Sequence, residues 1–175
     1  SLAGPHQIDN AGLALLTLNS TRPCAPIGIA NAIWPGRVQK LDSGTLATIW
    51  PYQPIWLDGA HNAHGITALA ATLRTIHNGK WNVICGALNT RDPAEFLAPL
   101  TPLAGRVACL TIPDQDASLS ATEMSNAARY LGLDASPAAT LAACFDLLDQ
   151  TAPTIICGSL YLAGYILIQN ETLPA

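Results

Sequence analysis

A chain of 175 residues holds one ordinary domain with something appended, and is long enough to bury a real core. Apolar residues make up 50% and charged residues only 11%, well under the roughly 25% usual for soluble domains, so part of the surface is expected to face another piece of protein. A net charge of −4, a pI near 5.3 and the lack of any basic stripe argue against a nucleic-acid groove.

The first residues lack the charged start and small-residue cleavage site of a signal peptide, and the longest apolar run, 160–168, is too short to span a bilayer. No membrane role is expected, and the default location is the cytoplasm. The five cysteines, Cys24, Cys85, Cys109, Cys144 and Cys157, show no C-x-x-C spacing. Three of them, Cys85, Cys109 and Cys157, fall in predicted strands, where a reduced thiol behaves as a small hydrophobe, so no zinc site is expected.

Residues 8–18 read as a helix on which His6, Asn10 and Leu13 share a face, and 27–33 read as a short helix set off by Pro23, Pro26 and Pro35. This leading segment is poorly able to make its own core and reads as the end of a preceding domain. From Trp34 the texture changes: 37–41 alternates polar and apolar as a half-exposed strand does, and 45–50 reads as a second strand paired back on it through the turn at 42–44. The rest alternates strand and helix. Strands are predicted at 81–86, 106–112 and 154–158. Helices are predicted at 93–100 with Asp92 as cap, at 120–131 behind a Ser120–Glu123 capping box, from Ser136-Pro137 to 149, and at 161–168. Near-continuously apolar strands in consecutive βα units imply an α/β fold: a Rossmann-like, open, mostly parallel sheet with helices on both faces.

The stretch around which the chain is organised is Pro54-Ile55-Trp56-Leu57-Asp58-Gly59-Ala60-His61-Asn62-Ala63-His64-Gly65. It reads as a buried strand whose carboxyl end delivers Asp58, a tight turn at Gly59, and a helix opening around Asn62. In an open α/β sheet that is where ligands sit. A carboxylate there can accept from a ribose diol, and the free N–H groups of a helix start favour phosphate. His61 and His64, at i and i+3, could share a metal with Asp58, but the spacing is not H-E-x-x-H, and His64 reads better as a helix-surface residue. Arg37, beside a Pro-Gly turn, can reach a phosphate or simply be solvated. Neither G-x-x-x-x-G-K-[ST] nor G-x-G-x-x-G occurs, so the principal phosphate cradle of a nucleotide enzyme is not in this stretch of chain.

Four motifs in order carry a resemblance: 2–11 (Leu-Ala-Gly-Pro-His-Gln-Ile-Asp-Asn-Ala), 34–39 (Trp-Pro-Gly-Arg-Val-Gln), 57–62 (Leu-Asp-Gly-Ala-His-Asn) and 156–161 (Ile-Cys-Gly-Ser-Leu-Tyr). Together they resemble the later motifs of the folylpolyglutamate synthase and dihydrofolate synthase family of the Mur ligase superfamily. The resemblance implies an ATP-dependent amide ligase that adds L-glutamate to dihydropteroate or folate through an acyl phosphate. It implies that the phosphate loop and the Mg2+ ligands lie in an N-terminal ATPase domain, with glutamate and the pterin or folate as the other partners. It also implies that 1–34 is the end of that ATPase domain with a linker, and that 35–175 is the C-terminal domain. Carried over by residue, His6, Gln7 and Asn10 would lie near the adenine or ribose. Arg37 would reach the nucleotide phosphates, Asp58 would hold the ribose or orient its neighbours, and His61 would approach the transferred phosphate; His61 and Arg37 are the catalytic candidates. Two departures stand out: Ala63 where many members have proline, and Asn89-Thr90-Arg91-Asp92 where an Asp-Lys-Asp turn is common. Other readings are a peptidoglycan- or cyanophycin-type ligase, against which Gln7 counts, and a stand-alone Rossmann-like binding module.

Overall fold

The computed structural model describes residues 35–172. The helices expected at 8–18 and 27–33, and with them His6, Gln7 and Asn10, lie outside the described residues.

A six-stranded sheet runs in the order β1-β2-β6-β3-β4-β5. Its strands are β1 (Gln39–Lys40), β2 (Ile55–Leu57), β3 (Trp81–Cys85), β4 (Ala104–Leu110), β5 (Asp134–Ala138) and β6 (Thr154–Cys157). Only the β1–β2 pair is antiparallel; every other neighbour is parallel. Among the described residues six α-helices accompany the strands: α1 (Thr45–Ile49), α2 (Ala63–Ile76), α3 (Pro93–Leu97), α4 (Ala121–Tyr130), α5 (Leu141–Asp146) and α6 (Leu160–Gln169).

The apolar strands divide their side chains by the two-residue period of a pleated sheet. Val83, Cys85, Val107, Cys109, Ile155 and Cys157 point to one face, against Ile66, Leu69 and Leu73 of α2, Phe96 of α3, and Met124 of α4. Ile84, Ala108, Leu110 and Ile156 point to the other, against Leu46 of α1, Phe145 of α5, and Leu162 and Ile166 of α6. The expected sheet covered on both faces is therefore present. Cys85, Cys109 and Cys157 sit in one row across three neighbouring strands, with Cys85 Sγ 3.7 Å from Cys109 Sγ. The hydrogen bond shared with Cys109, then burial, raises the Cys85 thiol well above its ordinary range, and burial pushes Cys144 up to about 12. The Cys85 and Cys144 thiols therefore stay protonated, and all four buried cysteines pack as core hydrophobes.

Three expectations are corrected. The strand expected over 37–41 shrinks to Gln39–Lys40, because Gly36 and Val38 both have positive φ, 70° and 45°, which bends the chain out of an extended path. The strand expected over 45–50 is helix α1. Its sequence is β-branched, but its first turn is capped from far away: Asn170, at the end of α6, accepts from Leu46 N–H at 2.9 Å and donates to Ser43 C=O at 2.9 Å. The helix expected from Ser136-Pro137 to 149 is instead strand β5 followed by α5, which is opened by Thr140, whose side chain accepts from Ala143 N–H. Pro137 is tolerated in β5 because β5 is the last strand of the sheet, where a missing donor can face away from the ladder.

The remaining caps are as expected. Asn62 accepts from Gly65 N–H to open α2, Asp92 accepts from Ala94 N–H to open α3, and both bonds of the Ser120–Glu123 box are made. Among the described residues no helix is long and apolar enough to cross a membrane.

Candidate functional site

The helices α2, α3 and α4, which follow β2, β3 and β4, cover one face, whereas α6, which follows β6, covers the other. Since β6 lies between β2 and β3, the chain leaves neighbouring strands in opposite directions there, which opens a crevice at their carboxyl ends. Antiparallel pairing of β1 with β2 brings the loop before β1, with Arg37, to the same end. The sheet topology thus gathers residues distant in sequence.

Arg37, Asp58 and His61 line one cavity of about 230 Å³, together with Asn62, His64 and the first turns of α2. The three expected site residues therefore converge. His64, expected on the helix surface, also lines this cavity; it is exposed and stands at the rim. Among the described residues no group of three or more His, Cys, Asp or Glu could hold a metal ion.

The tripeptide Asp58-Gly59-Ala60 ties the site together through its own polar groups. Asp58 is 5% exposed, and its Oδ2 accepts from Val38 N–H at 2.8 Å while Oδ1 accepts from Ala60 N–H at 2.7 Å. Gly59 N–H donates to Gly36 C=O at 2.7 Å, and Ala60 C=O accepts from Gly158 N–H at 3.0 Å. Gly59 C=O meets His61 Nδ1 at 3.0 Å. A carbonyl can only accept, so Nδ1 carries the proton and Nε2 is left to accept a proton or, once protonated, to donate to an anion. Gly59 is thus the hinge between the Arg37 loop and the His61 ring. A Cβ there would meet Leu160 Cδ2, the end of a half-exposed side chain that would have to turn aside. Val38 is a β-branched residue in the left-handed region, a conformation that costs about 1–3 kcal/mol and persists only where the surroundings over-determine it. Asp58 supplies that constraint. The Cys157 thiol nearby is pushed upward first by its own burial and then by the Asp58 charge.

A second cavity, of about 160 Å³, adjoins the first and shares His61. It lies over the carboxyl ends of β3 and β6, between Leu88, Thr90, Arg91, Asp92 and Phe96 on one side and Gly158, Ser159 and Tyr161 on the other. Sequence reasoning assigned no site role to most of these residues. Arg91 and the Gly158-Ser159 turn were visible as signals, but only the placement of β6 between β2 and β3 sets them opposite one another. Leu160 and Tyr161, each 55% exposed, stand at this end of α6 as uncovered apolar surface.

Comparison with known proteins gives this geometry its context. Residues 38–159 match the family model described as Mur ligase, glutamate ligase domain. The chain is 30% identical over 176 residues to folylpolyglutamate synthase of Lacticaseibacillus casei, covering 94% of this chain and 38% of that protein. It is 29% identical over 141 residues to the dihydrofolate synthase/folylpolyglutamate synthase of Bacillus subtilis, covering 72% of this chain and 31% of that one. The structure of Mycobacterium tuberculosis folylpolyglutamate synthase complexed with ADP superposes with a TM-score of 0.81 at 23% identity, over 99% of this chain and 42% of that chain, a likeness of fold. This chain therefore spans less than half the length of the relatives it matches. With its six-stranded sheet, its βα crossovers and a family match over most of its length, the chain belongs to the Mur ligase family as a glutamate ligase domain.

Proposed function

We propose that this chain is the C-terminal part of an ATP-dependent amide ligase that adds L-glutamate to dihydropteroate or folate by way of an acyl phosphate. The observation that carries the reading is the convergence of Arg37, Asp58 and His61 on one cavity, tied through Gly59. In this reading 35–175 is the C-terminal domain and 1–34 the end of the preceding ATPase domain with its linker. A cytoplasmic enzyme of folate biosynthesis follows.

ATP supplies the phosphoryl group that makes the substrate carboxylate electrophilic. The residues present suit a nucleotide. Arg37 has no hydrogen-bond or ion-pair partner among the described residues and faces a polar cavity, so its planar fork is open to phosphate oxygens. His61, fixed by Gly59, directs Nε2 outward, where an imidazolium can stabilise charge developing on a transferred phosphoryl group. Asp58 spends hydrogen bonds on Val38 and Ala60 N–H groups, which favours orienting its neighbours over holding the ribose. His6, Gln7 and Asn10 keep the adenine or ribose role implied by the motif. Among the described residues no three His, Cys, Asp or Glu side chains cluster, and we assign the Mg2+ ligands and the phosphate loop to the ATPase domain. The cavity that shares His61 is where we place the attacking amine, and the uncovered Leu160 and Tyr161 fit a surface that meets the ATPase domain.

Assay of the complete gene product with ATP, glutamate and dihydropteroate or a folate tests the reading, and turnover with release of ADP and phosphate is expected. The 175-residue chain alone should turn over nothing, and activity in it would contradict the division between domains.

A further inference from the structure

The loop that presents Arg37 is held by more than Asp58. Gly36, immediately before the arginine, is at φ 70°, and as a glycine it has the widest choice of backbone conformation in the chain. Its orientation therefore depends on tethers at both of its polar groups. Gly59 N–H holds its carbonyl at 2.7 Å. Its own N–H donates to the side-chain Oε1 of Gln39 at 2.9 Å. Gln39 is itself anchored as the first residue of β1, paired with Leu57 of β2, the residue before Asp58. Gly36 and Val38, the neighbours of Arg37 on either side, are thus fixed to the same strand end, one through Gln39 and Gly59 and the other through Asp58. Neither Gln39 nor Val38 lines the cavity into which Arg37 faces.

We propose that Gln39 is a positioning residue for Arg37: its carboxamide oxygen, by holding the Gly36 amide, completes the brace that aims the guanidinium at the bound anion. This rests on the reading of Arg37 as a phosphate ligand given above. The brace acts before the anion arrives, so its loss leaves a guanidinium of unchanged charge that is no longer held in its binding geometry, and the cost appears in affinity. Only an acceptor at the end of a side chain of this length can hold the amide. A glutamate at 39 preserves it, and a methionine of similar shape does not.

The test measures the affinity of a non-hydrolysable ATP analogue, the KM for glutamate and the melting temperature in the complete gene product. The variants are R37A, Q39M, Q39E and the double variant R37A/Q39M. We expect R37A to bind the analogue at least ten-fold more weakly and Q39M roughly five-fold more weakly, the latter being the scale of one net hydrogen bond. Q39E should bind as the wild type does, Q39M should leave the glutamate KM unchanged, and R37A/Q39M should be no weaker than R37A alone, since a brace has nothing to aim once the arginine is gone. Wild-type affinity in Q39M beside a weakened R37A would overturn the positioning role and leave the proposed function standing. So would a full additional loss in the double variant, or equal weakening of nucleotide and glutamate tracking a fallen melting temperature in both Q39M and Q39E. Wild-type affinity in R37A would overturn the assignment of Arg37 and this inference with it.

Discussion

The N-termini of α2 and α4 are both closed by the side chain of their own cap residue, yet they sit in different mechanical situations. At α4, Ser120 and Glu123 satisfy one another within a span of four residues: Glu123 Oε2 accepts from Ser120 N–H at 2.8 Å and from its hydroxyl at 2.6 Å, on exposed surface. At α2, Asn62 likewise accepts from Gly65 N–H, but the residues leading into it, Asp58 to His61, hold groups at 36, 38 and 158. The first is a local device that stabilises one helix. The second is a junction, where backbone amides from three separate segments are consumed in fixing the relative positions of Arg37, His61 and the turn after β6. Damage at α4 should therefore stay in stability, and damage at the α2 approach should spread into binding.

The largest effect that can sharpen this contrast is Asp58→Ala. It strips the acceptor from two buried N–H groups, those of Val38 and Ala60, and should cost about 2–5 kcal/mol of stability. Nucleotide affinity should fall more than ten-fold with it. Asp58→Asn retains one acceptor oxygen and should recover part of both losses. Thermal unfolding and nucleotide titration on the same samples check this, and a loss of stability with wild-type affinity would make Asp58 a purely structural residue.

A smaller effect is expected from Ser120→Ala, about 1 kcal/mol of stability with unchanged nucleotide affinity. Smaller still is its dependence on pH. The hydrogen bond from the Ser120 hydroxyl, then that from its backbone N–H, holds the Glu123 carboxyl below its ordinary range. A folded-state value depressed below the unfolded one contributes stability that is present above the unfolded value and lost as pH falls through the folded one. The melting-temperature difference between wild type and Ser120→Ala should therefore be widest near neutrality and narrow in acid. A difference that grows as pH falls would show that the box is not what the substitution removes.

What could be read from the sequence follows the same division between local and distant causes. The capping box, the Asp92 cap with Pro93 at the first helical position, and the strand-turn-helix of 55–76 are set by neighbours in sequence, and each formed as expected. Residues 45–49 became a helix because of a carboxamide at position 170, which no window around Thr45 contains. Pro137 ended in a strand because β5 is the sheet's edge, a property of topology. The site shows the same pattern. Arg37, Asp58 and His61 were visible as chemistry, but the Gly59 link between them and the second cavity, which Arg91 lines, depend on β1 and β6 flanking β2.

His61 is the pivot of the proposed site: Gly59 holds its ring, and both cavities share it. Steady-state kinetics of the complete gene product carrying His61→Ala test it most directly. An imidazole that meets charge developing on the transferred phosphoryl group should matter more in the transition state than in the bound ground state. The expected result is a fall in kcat of about a hundred-fold or more with a much smaller change in the KM for ATP. Wild-type kcat with only a lowered melting temperature would contradict it and reduce the junction to a structural turn.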